Sequence, residues 1–188
     1  MSARTTLASC LAAVLVVTVV APEADAQTVI KSPNDHPDYR AELEPHAVFG
    51  LWHRRYYGHY NHTPFRDPEL GVGFRATIEV ADPAFIPKLN NTVGITFGLD
   101  ISNCQFCRGR EDFRLYTPIG LQWNFFITRK FSAFADLGFM LSTDGFYQHV
   151  YPDFFGMLGG RYHFNDDVAF TFRIGVPFVT VGVSFFVG

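Results

Sequence analysis

The C-terminal stretch of the chain, residues 168–188, carries the clearest pattern of apolar and polar positions. Pro177 divides this stretch into two arms, and in each arm large apolar residues occupy every second position. The positions between them include small and polar residues and, in the first arm, Arg173. Successive side chains of a β-strand point to opposite faces, so a period of two predicts two strands that each have one apolar face.

The same alternation recurs along the rest of the chain and predicts six further strands. Their approximate limits are 43–52, 72–80, 93–101, 115–127, 131–141 and 154–164. No helical periodicity appears after residue 26, so the sequence predicts an all-β fold of eight strands.

The connections between these strands alternate in length along most of the chain. The first, third and fifth (54–70, 102–112 and 142–153) are long, polar and aromatic, whereas the fourth and sixth (128–130 and 165–167) are short. Short turns on one side and long loops on the other are typical of up-and-down membrane barrels, whose long loops face outward. Two connections depart from this rule: the second, 81–91, is long, and the seventh, at Pro177, is very short.

The faces opposite the apolar ones carry charges of both signs together with many glycines. We predict that these charges form an interior polar network, either structural or pore-lining, made of Glu44, Arg75, Glu79, Asp100, Asp136, Arg161, His163 and Arg173. In a soluble barrel the apolar face points inward instead. The apolar faces here are uniformly bulky, the polar faces hold few lysines, and strands of about 9–11 residues suffice to cross a bilayer. The sequence therefore favours an eight-stranded antiparallel up-and-down transmembrane β-barrel (residues 41–188) over a soluble barrel or sandwich.

The N-terminal segment has the features of a secretory signal peptide. Arg4 lies in a short positive region, an apolar run follows over residues 7–21, and Ala24-Asp25-Ala26 provides a cleavage site before Gln27. We therefore expect residues 1–26 to be removed on export, and residues 27–40, which are polar, to form an extended lead-in. Cys10 precedes the apolar run instead of ending it, so lipidation there is not expected.

Composition narrows the possible functions further. The chain has 188 residues, 21 of them phenylalanine and 16 glycine, and a formal net charge of −3. This length predicts a single folded domain. Because the net charge is small and negative and basic residues form no run, nucleic acid is not an expected partner.

Residues 42–188 resemble the small eight-stranded outer-membrane β-barrel proteins of Gram-negative bacteria, the type represented by OmpX and the transmembrane domain of OmpA. The resemblance rests on the strand pattern and on a C-terminal strand that carries Phe185 and Phe186 near its end. Such proteins usually end in an aromatic residue, whereas here Val187 and Gly188 follow. It implies a porin-like monomer in the outer membrane of the cell envelope. The implied partners are outer-membrane lipid, the assembly machinery that inserts such barrels, and lipopolysaccharide, which arginines of the outer loops would bind through its phosphates.

Few residues outside the predicted interior suggest specific chemistry. Cys104 and Cys107 form a C-x-x-C motif in the second predicted outer loop, where export favours a local disulfide over redox activity. His53, His59 and His62 of the first loop are weak candidates for a metal site, since most His- and Tyr-rich loops form a wet interfacial collar. We expect no cofactor.

The sequence favours a non-enzymatic protein with a structural or surface-contact role in the cell envelope through its outer loops. One alternative is a narrow channel or carrier for small or apolar solutes, and another is a lipid-modifying outer-membrane enzyme. Outer-membrane lipid deacylases carry His and Ser two residues apart on a lipid-facing strand, but here Phe164 and Asn165 follow His163. Other nucleophile, zinc-protease and phosphate-loop motifs are absent from the sequence.

Overall fold

A computed structural model describes residues 39–50, 69–82, 90–103, 113–146 and 148–188. These residues form eight β-strands, whose bounds are β1 Ala41–Gly50, β2 Glu69–Ala81, β3 Asn91–Asn103, β4 Phe113–Phe126, β5 Phe131–Asp144, β6 Gln148–His163, β7 Val168–Val176 and β8 Phe178–Val187. Among the described residues no helix is long and apolar enough to cross a membrane. The predicted signal peptide and the lead-in up to residue 38 lie outside the described residues.

The eight strands close into one antiparallel barrel in sequence order. Each strand pairs with the next along the chain, and β1 pairs with β8 to complete the ring, for example through Ala47 opposite Val181. Closure satisfies the backbone groups of the first and last strands, which would otherwise form two open edges. The predicted fold class is therefore confirmed.

The two ends of the barrel differ in their connections. At one end, here called the turn end, lie the short connections 128–130 and 165–167 and the segment 82–90. The other end, here called the loop end, carries the connections 51–68 and 104–112, the β5–β6 turn with Gly145 in a left-handed conformation (φ 62°), and Pro177 after a cis peptide bond. The N-terminal side of β1 lies at the turn end.

The barrel is taller on one side than on the other. Strands β2 to β6 contain 13 to 16 residues, whereas β1, β7 and β8 contain 9 or 10. The pairing of β6 with β7 begins at Gly156 opposite Val176, although β6 starts at Gln148. At a rise of about 3.4 Å per residue, β6 thus extends roughly 25 Å along its own direction beyond the end of β7. This part of β6 pairs with β5 on one side only, as far as the described residues go.

The bulky apolar side chains point away from the barrel axis. Leu137 is 71% exposed, Phe97 43% and Phe185 44%, and the same face of every strand carries similar residues. Their neighbours along each strand, including Arg75, Asp100 and Arg173, are buried within the barrel. A surface of this size and apolarity is suited to hydrocarbon and not to water. The predicted orientation, with apolar side chains outside and charged ones inside, is confirmed.

The interior of the barrel is arranged in layers along its axis. The middle layer contains the charged residues. Toward the loop end a cluster of buried apolar side chains covers it, namely Val48, Tyr116, Met140, Phe155, Met157 and Phe178. Toward the turn end a second cluster covers it, namely Tyr39, Phe126, Ala169 and Phe186. The first is called the loop-end layer below, and the second the turn-end layer.

Candidate functional site: the ionic interior

Arg161 on β6 lies at the centre of the strongest set of polar contacts in the middle layer. Its Nε and Nη2 donate to the two carboxylate oxygens of Glu42 on β1, at 2.8 and 2.6 Å. The same guanidinium donates to Asn124 Oδ1 at 3.0 Å and to Gln122 Oε1 at 2.9 Å. A bidentate arginine–carboxylate pair is among the strongest polar contacts in proteins, and here it joins opposite walls of the barrel.

Arg173 on β7 forms the second ionic group. It donates to Glu44 on β1 and, from Nε, to Asp136 Oδ2 on β5 at 2.9 Å. Arg75 on β2 completes the group with longer contacts, 3.4 Å to Asp100 and 3.8 Å to Asp136. All of these side chains are buried. A buried charge is tolerated only when it is paired, and each of these has a partner of opposite sign within 4 Å.

The ring of Phe134 contacts both arginine groups. The guanidinium carbon of Arg161 lies 4.0 Å from the ring centroid and that of Arg173 lies 4.6 Å from it. Both arginines therefore make cation–π contacts with one buried ring. The ring lies against β6 at Gly159, where an added Cβ atom would come within 2.0 Å of Phe134. Gly159 therefore leaves the space that the Phe134 ring needs in the ionic layer.

His46 on β1 contacts both Glu44 and Asp100 of the network. Its Nε2 lies 2.8 Å from Asp100 Oδ1, and its Nδ1 lies 3.1 Å from the backbone oxygen of Glu44. Both ring nitrogens face oxygen atoms, so the ring is held between the two residues. Gly73 leaves room for this contact, because a Cβ atom there would lie 2.0 Å from Asp100 Oδ1.

The turn end holds a Ser–His pair that has the form of a catalytic dyad. Ser132 Oγ lies 2.9 Å from His163 Nε2, and the His163 ring stacks on Phe186 with centroids 5.3 Å apart. Both side chains are buried beside the turn-end layer. A nucleophile must reach its substrate, so this position is suited to packing and not to hydrolysis.

Tyr39, just before β1, belongs to the turn-end layer. Its ring packs edge-on against Phe186 (4.9 Å between centroids) and Phe126 (6.4 Å). Burial raises the pKa of the Tyr39 phenol above its ordinary value, so the hydroxyl stays protonated beside Asn124. Tyr39, near the end of the predicted lead-in, therefore packs into the barrel.

The structure brings most of the sequence-predicted interior residues together, but not all. Glu44, Arg75, Asp100, Asp136 and Arg173 form one connected group, and Arg161 and Arg173 contact the same Phe134 ring. His163 lies in the turn-end part of the interior, paired with Ser132. Glu79 is only half-buried near the turn end, where its backbone nitrogen donates to Arg40.

Sequence reasoning missed the partner of Arg161 and a polar belt near the loop end. Glu42 lies one residue before the predicted first strand, although the alternation with Glu44 and His46 extends back to it. In the belt, Tyr116 donates to Glu69 at 2.7 Å and Arg114 pairs with Asp144 at 2.8 Å. Glu69 and Asp144 fell within predicted loops, and only longer strands would have placed them on the interior face.

The remaining predicted sites, Cys104, Cys107, His53, His59 and His62, lie outside the described residues. Within the described ranges, no group of three or more His, Cys, Asp or Glu side chains is arranged to hold a metal ion.

Comparison with known proteins adds a likeness of fold. No protein-family model matches the sequence, and no curated protein matches it. Among solved structures, the chain is similar to the outer membrane protein Ail of Yersinia pestis, whose backbone structure was determined in a phospholipid bilayer nanodisc. The match has 9% sequence identity and a TM-score of 0.44, and it covers 79% of this chain and 99% of Ail. At this level the likeness concerns the fold, and no function follows from it.

Proposed function

We propose that this protein is an integral outer-membrane barrel whose interior is closed and whose loop end serves in surface contact. The apolar exterior supports membrane insertion, because more than two dozen large apolar side chains face outward. The predicted signal peptide supports export, and the outer membrane is the bilayer that accepts exported barrels of this kind. On this topology the loop end faces outward and the turn end faces the periplasm.

The layered interior is the observation that carries the proposal. Ion pairs that span the barrel fill its middle, and the two apolar layers cover these pairs at both ends. Phe178, Phe155 and Val48 of the loop-end layer are at most 2% exposed. Ions would have to cross apolar layers and break buried salt bridges, which costs several kcal/mol for each unpaired charge. This arrangement supports an anchor in preference to a channel or carrier.

The tall side of the barrel supports the surface-contact role. The extension of β5 and β6 at the loop end carries the turn between them beyond the end of β7. Arginines of the predicted outer loops, including Arg54, Arg55 and Arg108, would meet lipopolysaccharide phosphates.

Planar-bilayer recording tests the closed interior. The wild-type barrel should produce no steady current, whereas a Phe178→Ala, Phe155→Ala double variant, which opens the loop-end layer, should conduct more. A steady ohmic current through the wild type would favour the channel alternative instead. Altered lipid A acylation on overexpression would favour the enzymatic alternative.

Membrane placement needs a separate test. A folded barrel in the outer-membrane fraction should migrate differently in gels before and after boiling, and Cys104 or Cys107 should react with an impermeant thiol reagent on intact cells after reduction. Recovery of the protein in the soluble fraction would contradict the membrane placement. Cysteines that react only after the cells are lysed would contradict the proposed topology. The proposed partners are outer-membrane lipid and the barrel assembly machinery, and the proposed state is a monomer.

A further inference from the structure

The outer surface of the barrel carries a groove across β2 to β5. Its walls are the outward side chains of Phe74, Phe97, Ile119, Phe139 and Leu141, and it encloses a cavity of about 440 Å³. The convex outer surface of a small barrel normally offers no such depth. The groove lies at the middle of β2, at residues 74–76, and in the half of β5 nearer the loop end, at residues 139–141.

Ala76 forms the floor of the groove. It points outward, but it is only 8% exposed, while its outward neighbours Phe74 and Ile78 are 45% and 46% exposed. The large side chains around it therefore stand above a small residue. The pairing of β3 with β4 is also interrupted here, between Phe97 opposite Ile119 and Asp100 opposite Tyr116. Pro118 lies in this gap and lacks the N–H that strand pairing uses.

The chemistry of the lining restricts what the groove can hold. No charged side chain lines it, and the one hydroxyl, that of Thr117, already donates to the backbone oxygen of Leu141 at 3.3 Å. A charged headgroup or a polar peptide would lose its hydration there without gaining partners. The groove belongs to the apolar band of the barrel, so the molecules that reach it in a bilayer are lipid chains.

We propose that this groove holds one acyl chain of a lipid from the leaflet at the loop end, and that this lipid exchanges more slowly than the other lipids around the barrel. This inference rests on the proposed membrane placement. Under the proposed topology the leaflet concerned is the outer one. The floor at Ala76 lets the chain lie below the tips of the surrounding aromatic rings, where it contacts protein on several sides at once.

Native mass spectrometry of the protein extracted from membranes in mild detergent tests the proposal. The wild type should retain one lipid per barrel. Ala76→Leu fills the floor of the groove and should lower the retained lipid by roughly tenfold, equivalent to about 1.4 kcal/mol of binding free energy. Ala133→Leu is the matched control, because Ala133 is also on the outward face of a strand but lies away from the groove, and it should retain lipid like the wild type.

Equal lipid retention by the two alanine variants, or none by the wild type, would overturn the proposal. A dimer that is lost on Ala76→Leu would identify a second copy as the occupant and would overturn it as well. Gel migration before and after boiling shows whether each variant is folded. Failure of the wild type to fractionate with membranes would instead refute the proposed membrane placement, so the two failures are distinguishable.

A second measurement avoids altering the groove floor. In a background with Trp52 and Trp123 replaced by phenylalanine, Phe97→Trp places a fluorophore on the groove wall, and Phe172→Trp places one at a similarly exposed position elsewhere (43% and 41%). When brominated lipid is added to the extracted protein, the groove tryptophan should be quenched more slowly than the control. Identical quenching rates would contradict a retained lipid.

Discussion

Arg161 and Glu42 form a bidentate ion pair across the barrel, with both carboxylate oxygens within 2.8 Å of guanidinium nitrogens. The two residues are 119 positions apart in the sequence, on β6 and β1. Ser184 Oγ on β8 also donates to Glu42 at 2.6 Å, so one carboxylate connects three strands. The pair is fully buried, and the consequences of breaking it are correspondingly large.

Replacing Glu42 with alanine should destabilise the barrel by about 3–5 kcal/mol, because it leaves the Arg161 charge buried without its partner. Urea unfolding from lipid vesicles, followed by tryptophan fluorescence, measures this change. Asp166→Asn in the exposed β6–β7 turn is the control and should change stability by no more than about 0.5 kcal/mol. If the two variants unfold at the same urea concentration, the Arg161–Glu42 pair does not stabilise the barrel.

Two adjacent glycines on β6 should respond oppositely to the same substitution. Gly159→Ala places a methyl group within 2.0 Å of the Phe134 ring and should cost about 1–3 kcal/mol, since the ring must move from its contacts with the two arginines. At Gly160 the nearest atom to an added Cβ is 3.8 Å away, so Gly160→Ala should be neutral or stabilising by up to about 1 kcal/mol. Thermal unfolding of both variants in the same detergent is the measurement. A larger loss for Gly160→Ala would show that the interior packing is described wrongly.

A charge on the outward face should be costly only within the apolar band. Leu137, in the middle of β5, is 71% exposed, and Leu137→Lys should destabilise the vesicle-inserted barrel by about 2–4 kcal/mol. Val150, on the part of β6 that extends past β7, is 51% exposed, and Val150→Lys should have little effect. The unfolding free energies of the two variants in vesicles give the comparison. Equal and small costs would indicate that the exterior faces water.

Tyr39 should stabilise the turn end through its ring and not through its hydroxyl. The hydroxyl contact with Asn124 is long, at 3.5 Å, and Thr92 is a second side-chain partner, so Tyr39→Phe should change stability by about 1 kcal/mol or less. Tyr39→Ala removes the edge contacts with Phe126 and Phe186 and should cost about 3–5 kcal/mol. Thermal unfolding separates the two variants. A large loss in Tyr39→Phe would instead make the hydroxyl the important group.

The fold could be predicted from the sequence because alternation is a local property that each strand carries by itself. The inward position of Arg173 and the outward position of Phe172 follow from neighbouring residues alone. The pairing of charges could not be predicted in this way. Which carboxylate meets Arg161 depends on the stagger between β1 and β6, strands that are not neighbours in the barrel, and alternation does not fix that stagger.

The strand ends near the loops were also beyond sequence reasoning. Glu69 and Asp144 extend their strands into stretches whose composition is typical of loops, so the predicted strands were too short at these ends. The acidic positions that the structure adds to the interior, Glu42, Glu69 and Asp144, lie at strand ends, where alternation has the fewest residues to support it.

The ion pairs of the middle layer have a consequence for how the barrel enters a bilayer. Glu42 and Glu44 belong to the first strand, while Arg161 and Arg173 belong to the sixth and seventh, so these charges meet only when the sheet curls into a ring. A partly curled sheet would hold uncompensated charges next to acyl tails, which is unfavourable. Insertion and ring closure should therefore occur as one cooperative event. The pairing of these charges stabilises the barrel only at the last step of assembly.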